Sequence, residues 1–363
     1  MSNVRGLMEA TAIIWLAQGC SAGEQNIPPS TEAEKQSVTS AERSVESVTK
    51  AIPGTQFVSR ASDGLSYYVA NGAPEEAAPL LFVQGSGCDS VFRSVEANQY
   101  QPTAGQNAVA GYAGKRLRVV MADKPGVLLG NSGGDGFSES CSQDFLETHT
   151  LDNWVAYLGR IMDTYSEHHP SAAQSWRVIG LSEGAVTAAR LASMRTDVSH
   201  VGFISGHGCY QLDDMLVTAR RQWLQNNPDA SAEAQQEGVA IAVQGAEAEI
   251  RRIFNAETKP DEPLWGQTAA FWQTFGTACP ATDLGGAEAD LFVAYGTDDP
   301  QVVADGIEEI TARRLAAGKP VRTVRVVGGG HTLSVDGDAN PFERLLETLE
   351  EVVGWMSPVD SAQ

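Results

Sequence analysis

Basic residues are scarce in this chain. Lysine and arginine total 25 against 46 aspartates and glutamates, a formal net charge of −21 over 363 residues. A surface that neutralises phosphates needs a basic excess, so nucleic acid is excluded as a partner. No apolar run approaches the ~20 residues of a bilayer-spanning helix, and a permanent transmembrane segment is not expected. Cysteine is sparse at five, and none of the five stands in a CxxC or cysteine–histidine spacing, which argues against zinc. No metal and no cofactor are expected. Apolar residues, at 42%, are ample for a buried core in one large domain or two ordinary ones.

Residues 1–20 read as an export signal. Arg5 supplies the positive charge, ATAIIWLA (10–17) a short apolar core, and Leu16-Ala17-Gln18-Gly19-Cys20 is similar to a lipobox, which makes Cys20 the expected lipidation site. Glu9 abutting the apolar run and Ala17 in place of the usual leucine depart from that pattern. Residues 21–51, rich in Ser, Thr, Glu, Gln and Lys, cannot bury enough surface to fold alone and are expected to form a disordered tether. The expected location is the periplasm or cell envelope, with a lipid anchor. Four cysteines then remain: Cys88, Cys141, Cys209 and Cys279. An oxidising compartment would join them in two disulfides, for which three pairings exist. Cys88–Cys141 with Cys209–Cys279 is the expected pairing, each pair lying in loops at one edge of the sheet; four buried thiols are the alternative.

Residues 177–194, RVIGLSEGAVTAARLASM, organise the rest. A β-branched apolar run turns at Gly180-Leu181-Ser182-Glu183-Gly184 and continues into alanine-rich sequence with helical spacing: strand, tight turn, helix. The glycines let the turn close, and the serine hydroxyl is presented beside the positive end of a helix. A second G-x-S-x-G match, around Ser132, runs into GGDGFSES, which has no helical pattern and reads as a loop. The Ser182 stretch resembles the nucleophile elbow of the α/β-hydrolase superfamily.

The remaining elements agree with that resemblance. QFVSR and SYYVA, joined at Asp63-Gly64, predict an antiparallel hairpin opening a folded domain at Thr55. PLLFV (79–83) is apolar throughout, as in a strand buried on both faces, and ends in Gly85-Ser86-Gly87. Strands at 116–126, 177–181 and 200–206 alternate with helix, notably an amphipathic one at 151–165, which predicts a parallel sheet with crossovers. Between 208 and 285 helical patterns take over, at 212–225, 232–254 and 267–275. The expected fold is therefore α/β: a mostly parallel sheet flanked by helices, its core at 55–207 and 286–356, with a helical cap at 208–285 inserted after the sixth strand. Trp223, Trp265, Phe271, Trp272 and Phe275 belong to the cap, as its own core or as pocket lining.

DLFVAYG (290–296) runs into Thr297-Asp298-Asp299-Pro300, similar to the acid-bearing turn of the superfamily; Asp299 is the expected acid and Asp298 its rival. VRTVRVVG leads to Gly328-Gly329-Gly330-His331, and a final helix is expected at 341–355. The chain order Ser182, Asp299, His331 is the α/β-hydrolase order of nucleophile, acid and base. His168 and His169 look solvated, and His207 could line the pocket. The resemblance implies an oxyanion hole made by the backbone N–H groups of Ser86 and Glu183, although Gln84 stands where the family commonly has histidine. It implies a serine hydrolase of carboxylesterase type, acting through an acyl-enzyme on an ester, and the composition of the cap leans toward a small-to-medium apolar substrate. An exopeptidase acting on a short peptide, a thioesterase and a non-catalytic binding protein of the same fold are the alternatives. The oligomeric state is not legible.

Overall fold

The computed structural model describes residues 48–357 apart from 63, 97, 132–140, 173–174, 256 and 260–261. The export signal, Cys20, residues 21–47 of the tether, Asp63 and Ser132 lie outside the described residues. The elements in chain order are β1 (Val48–Ala51), β2 (Phe57–Ser62), β3 (Leu65–Ala70), β4 (Ala78–Val83), β5 (Phe92–Glu96), β6 (Gln99–Pro102), α1 (Ala104–Ala113), β7 (Leu117–Met121), α2 (Gln143–Thr148), α3 (Leu151–His168), β8 (Trp176–Leu181), α4 (Glu183–Met194) and β9 (Val198–Ile204). There follow α5 (Gln211–Asn226), α6 (Ala232–Ile253), β10 (Pro263–Leu264), β11 (Gln267–Thr268), α7 (Ala269–Thr274), α8 (Pro280–Gly286), β12 (Asp290–Gly296), α9 (Ala304–Ala316), β13 (Val321–Val326) and α10 (Glu343–Met356).

Nine strands form one sheet in the order β1-β2-β3-β7-β4-β8-β9-β12-β13. The first four pair antiparallel, and from β7 to β13 every neighbour is parallel. All six residues of β4 are buried, as its unbroken apolar run requires of a central strand covered on both faces. Apolar side chains of α1 and α10 cover one face. Those of α3, α4, α8 and α9 cover the other. Trp154, Leu158 and Ile161 form the buried stripe of α3 at helical spacing.

Two local features differ from the sequence reading. Residues 48–51, within the stretch assigned to the tether, form β1 and pair antiparallel with β2. Main-chain hydrogen bonds to a sheet edge suffice for this, and the exposed side chains of residues 49–51 left no apolar signal. The β5–β6 hairpin was also not anticipated, because its sequence is polar and largely exposed. The helical insertion follows β9 and comprises α5, α6, the short β10–β11 pair, α7 and α8. Phe271, Trp272 and Phe275 are its core, and Trp223 packs against Gly238 where α5 meets α6.

Disulfides join Cys88 to Cys141 and Cys209 to Cys279. The first ties the loop after β4 to the segment before α2; the second ties the start of α5 to the start of α8, closing the insertion at its base. They are consistent with an exported protein. No described helix is long and apolar enough to cross a membrane.

Candidate active site

Six parallel strands point their C-terminal ends to one edge, and the candidate residues gather there: Gly85–Gly87 after β4, Lys124 after β7, Ser182 after β8, Asp299 after β12 and His331 after β13. In sheets of this kind that edge is where ligands bind.

Ser182 sits between β8 and α4 with φ 53° and ψ −118°. A non-glycine residue held at positive φ carries roughly 1–3 kcal/mol of strain and persists only where its surroundings over-determine it. Here its amide donates to the Ile204 carbonyl of β9 at 2.8 Å, while α4 begins at once behind it. Gly184 is why α4 can start so close to the sheet: a Cβ there would lie 2.2 Å from the Val83 carbonyl oxygen.

Asp299 is 1% exposed. Its Oδ1 accepts the Gln301 and Val302 amides at 2.7 and 3.3 Å. Its Oδ2 lies 2.7 Å from His331 Nδ1, and His331 Nε2 lies 3.0 Å from Ser182 Oγ. Asp298, the rival, is exposed and accepts from the Thr297 hydroxyl at 2.9 Å. The glycine-rich loop of His331 is pressed against the end of β12, so that a Cβ on Gly296 would lie 2.0 Å from the Gly329 carbonyl oxygen. Leu333, fully buried at φ 64°, pins the far side of that loop. With Asp299 on Nδ1, the imidazole is oriented to carry its proton there and present Nε2 as an acceptor to the serine.

The loop after β4 is braced from several directions. Gln84 Nε2 donates to the Asp89 carbonyl at 2.9 Å, closing the turn on itself. Asp123 takes the Val91 amide at 2.7 Å, the Ser90 hydroxyl and the Tyr68 hydroxyl. Gly85 packs near Leu181 and Ser182. The Glu183 side chain is buried and lies 2.8 Å from Lys124 Nζ and 3.0 Å from His149 Nε2. Burial pushes this carboxyl up, but Lys124 and His149 outweigh burial and hold it below its ordinary range. Burial draws Lys124 and His149 downward, against the attraction of Glu183. Three acceptor oxygens around Nζ nevertheless suit an ammonium. His149 stacks on Phe145 and lies beside Phe271 and Phe275 of the insertion. The sequence reading used Glu183 only for its amide and missed Lys124 and His149. Partners 34 and 59 residues from Glu183 in the chain leave no local pattern.

Two histidines sit differently from expectation. His169 is buried against Tyr165, and burial draws it down to about 4. His207 is buried beneath the insertion, its Nε2 bonded to the Phe275 carbonyl at 3.1 Å, rather than lining a pocket.

Asp214 of α5 packs beside the acid turn, its Oδ2 accepting the Val303 amide at 3.2 Å. Burial pushes this carboxyl up to about 7, the Val303 amide opposes, and Asp213 and Asp299 add to the rise. The native state therefore keeps a proton that the unfolded chain has lost between about pH 4 and 7. Stability falls as pH rises through that window, and the cost is fully present above it. Asp214→Asn keeps an acceptor for Val303 and is expected to raise Tm at pH 8 by roughly 2–6 °C, for about 1–2 kcal/mol. Thermal melts across pH check this: the gain should shrink below pH 5 and vanish near 4, and a gain independent of pH would contradict it.

The strand order, the strained serine between β8 and α4, and the acid and histidine after the last two strands together decide the architecture. The fold is the α/β-hydrolase fold. Solved structures similar to this chain include a bacterial membrane phospholipase A, at 16% identity and TM-score 0.49, covering 82% of this chain and 84% of that one. Est1E from Butyrivibrio proteoclasticus is similar at 13% identity and TM-score 0.47, covering 82% and 96%. The acylaminoacyl peptidase of Pyrococcus horikoshii is similar at 12% identity and TM-score 0.49, covering 86% of this chain and 41% of the peptidase. No protein-family model and no curated protein matches the chain. Among the described residues of this α/β-hydrolase fold, no cluster of side chains could hold a metal ion.

Proposed function

We propose that the protein is a serine hydrolase that cleaves a carboxylic ester through an acyl-enzyme on Ser182. The observation that carries this reading is the unbroken chain of contacts at the elbow: Ser182 Oγ to His331 Nε2 at 3.0 Å, and His331 Nδ1 to Asp299 at 2.7 Å. A serine hydroxyl is a weak nucleophile at neutral pH and needs an adjacent base. As Oγ attacks the ester carbonyl carbon, its proton passes to His331 Nε2, and buried Asp299 stabilises the imidazolium. The carbonyl oxygen becomes an oxyanion, met by the backbone N–H groups of Ser86 and Glu183. Collapse breaks the carbon–oxygen bond to the alcohol, which takes the proton from His331 as it leaves. Water then repeats the sequence: it gives a proton to His331, attacks the acyl carbon and frees the acid from Ser182, which recovers its proton.

The insertion is rich in aromatic residues, Phe271, Trp272 and Phe275 among them, and from that composition we read the acyl group as apolar and small to medium. Two experiments test the reading. A fluorophosphonate probe is expected to label the protein at Ser182; absence of labelling would favour a non-catalytic member of the fold. In a panel of p-nitrophenyl esters of graded chain length beside aminoacyl-nitroanilides and acyl thioesters, the esters are expected to give the highest kcat/KM. A clear preference for the anilides or the thioesters would move the assignment to an exopeptidase or a thioesterase.

A further inference from the structure

The Lys124 ammonium is buried and surrounded by three oxygens. It donates to the Gly85 carbonyl at 2.7 Å and the Gly87 carbonyl at 3.0 Å, and it pairs with Glu183 Oε1 at 2.8 Å. Three N–H donors meet three acceptors, so the group is fully used. The placement of those acceptors is specific. The Gly85 carbonyl belongs to the same planar, trans peptide as the Ser86 N–H, so fixing the oxygen on one side fixes the N–H on the other. The Gly87 carbonyl belongs to the Gly87–Cys88 peptide and fixes the loop just beyond Ser86, and Glu183 is the residue whose N–H follows the nucleophile.

We propose that Lys124 is a positioning residue for the oxyanion hole: its ammonium clamps the Gly85–Ser86 peptide, which carries the Ser86 N–H, together with the Gly87–Cys88 peptide just beyond it, and, through the Glu183 carboxylate, holds this loop in register with the elbow. Glu183 is the counter-ion, and His149 supports it at 3.0 Å from the same carboxylate oxygen. The ammonium also withdraws charge from the Gly85 carbonyl, making the Ser86 N–H a stronger donor as negative charge develops. The inference rests on the serine-hydrolase reading, and it adds a residue that acts through the Gly85 and Gly87 carbonyls and the Glu183 carboxylate rather than on the substrate.

Removing Lys124 alone would leave Glu183 charged and buried, which destabilises strongly. The test therefore compares Glu183→Gln with the double variant Lys124→Met/Glu183→Gln. Glu183→Gln is the reference: the buried Lys124 amine, left without its counter-ion, sheds a proton and still has two N–H donors for the two carbonyls. The double variant is expected to lose a further ~10²–10³-fold in kcat with KM within threefold, the signature of a donor lost in the transition state. A trifluoromethyl ketone, which forms a hemiketal oxyanion on the serine, should lose affinity in step with kcat. Lys124→Gln/Glu183→Gln keeps two amide N–H donors on a shorter side chain and should fall between the two.

In the wild-type protein the Ser86 amide proton should move downfield in NMR when the ketone binds. Equal kcat in Glu183→Gln and the double variant, ketone affinity that does not follow kcat, or a silent Ser86 amide would each overturn the proposal. Failure of the wild-type protein to react with a fluorophosphonate would instead remove the hydrolase reading itself, and the two failures are told apart by that control.

Discussion

Ser182→Ala is expected to lower kcat/KM by about 10⁴–10⁶-fold, the range found when the nucleophile of a serine triad is removed. The loss should be nearly all chemistry, because Oγ makes its contact with His331 and no contact that holds the sheet together. Tm should barely change, since alanine at φ 53° carries the same backbone strain as serine. Ser182→Gly separates the two effects. It should be equally inactive, yet melt higher by roughly 2–6 °C, because glycine relieves about 1–2 kcal/mol of that strain. Ester hydrolysis and thermal melts on the two variants check this. Ser132→Ala should remain active. Loss of activity in that variant with survival of Ser182→Ala would move the nucleophile.

Asp299→Asn is expected to cost about 10⁴-fold in kcat, against less than threefold for Asp298→Asn. The asymmetry follows from hydrogen-bond direction. Asp299 Oδ1 is occupied by the Gln301 and Val302 amides, both donors, so an asparagine would place its oxygen there and turn its NH2 toward His331. An amide donor facing Nδ1 drives the ring proton to Nε2, and a protonated Nε2 cannot accept from Ser182. The geometry would survive while the tautomer is wrong. Asp298, exposed and bonded to Thr297, has no comparable hold on the ring. Steady-state kinetics on both variants is the measurement; equal losses would place the acid elsewhere.

Much of the fold is legible in short stretches. The buried run of β4, the amphipathic stripe of α3 and the strand–turn–helix around Ser182 are local patterns, each produced by one element meeting a two-sided or one-sided core. The helical insertion is legible for the same reason, from breaks and periodicity. β1 is not, because its partner is another strand's backbone and the side chains of residues 49–51 remain in solvent. His169 shows the converse: a histidine beside a proline reads as solvated until the close of α3 buries it against Tyr165.

The candidate site divides along the same line. Chain order and motif alone determined that Ser182, Asp299 and His331 belong to one edge of a parallel sheet, since each follows a strand and parallel strands end together. They left Asp298 and Asp299 as rivals, because adjacent residues in a turn differ only in which way the turn faces. Packing against the Gln301 and Val302 amides decided that orientation, with one carboxylate buried and the other in water. Tertiary structure alone also brought Lys124 and His149 to Glu183. A buried charge is tolerable only beside its counter-charge, and partners that meet across three strand ends carry no signal in the residues next to them.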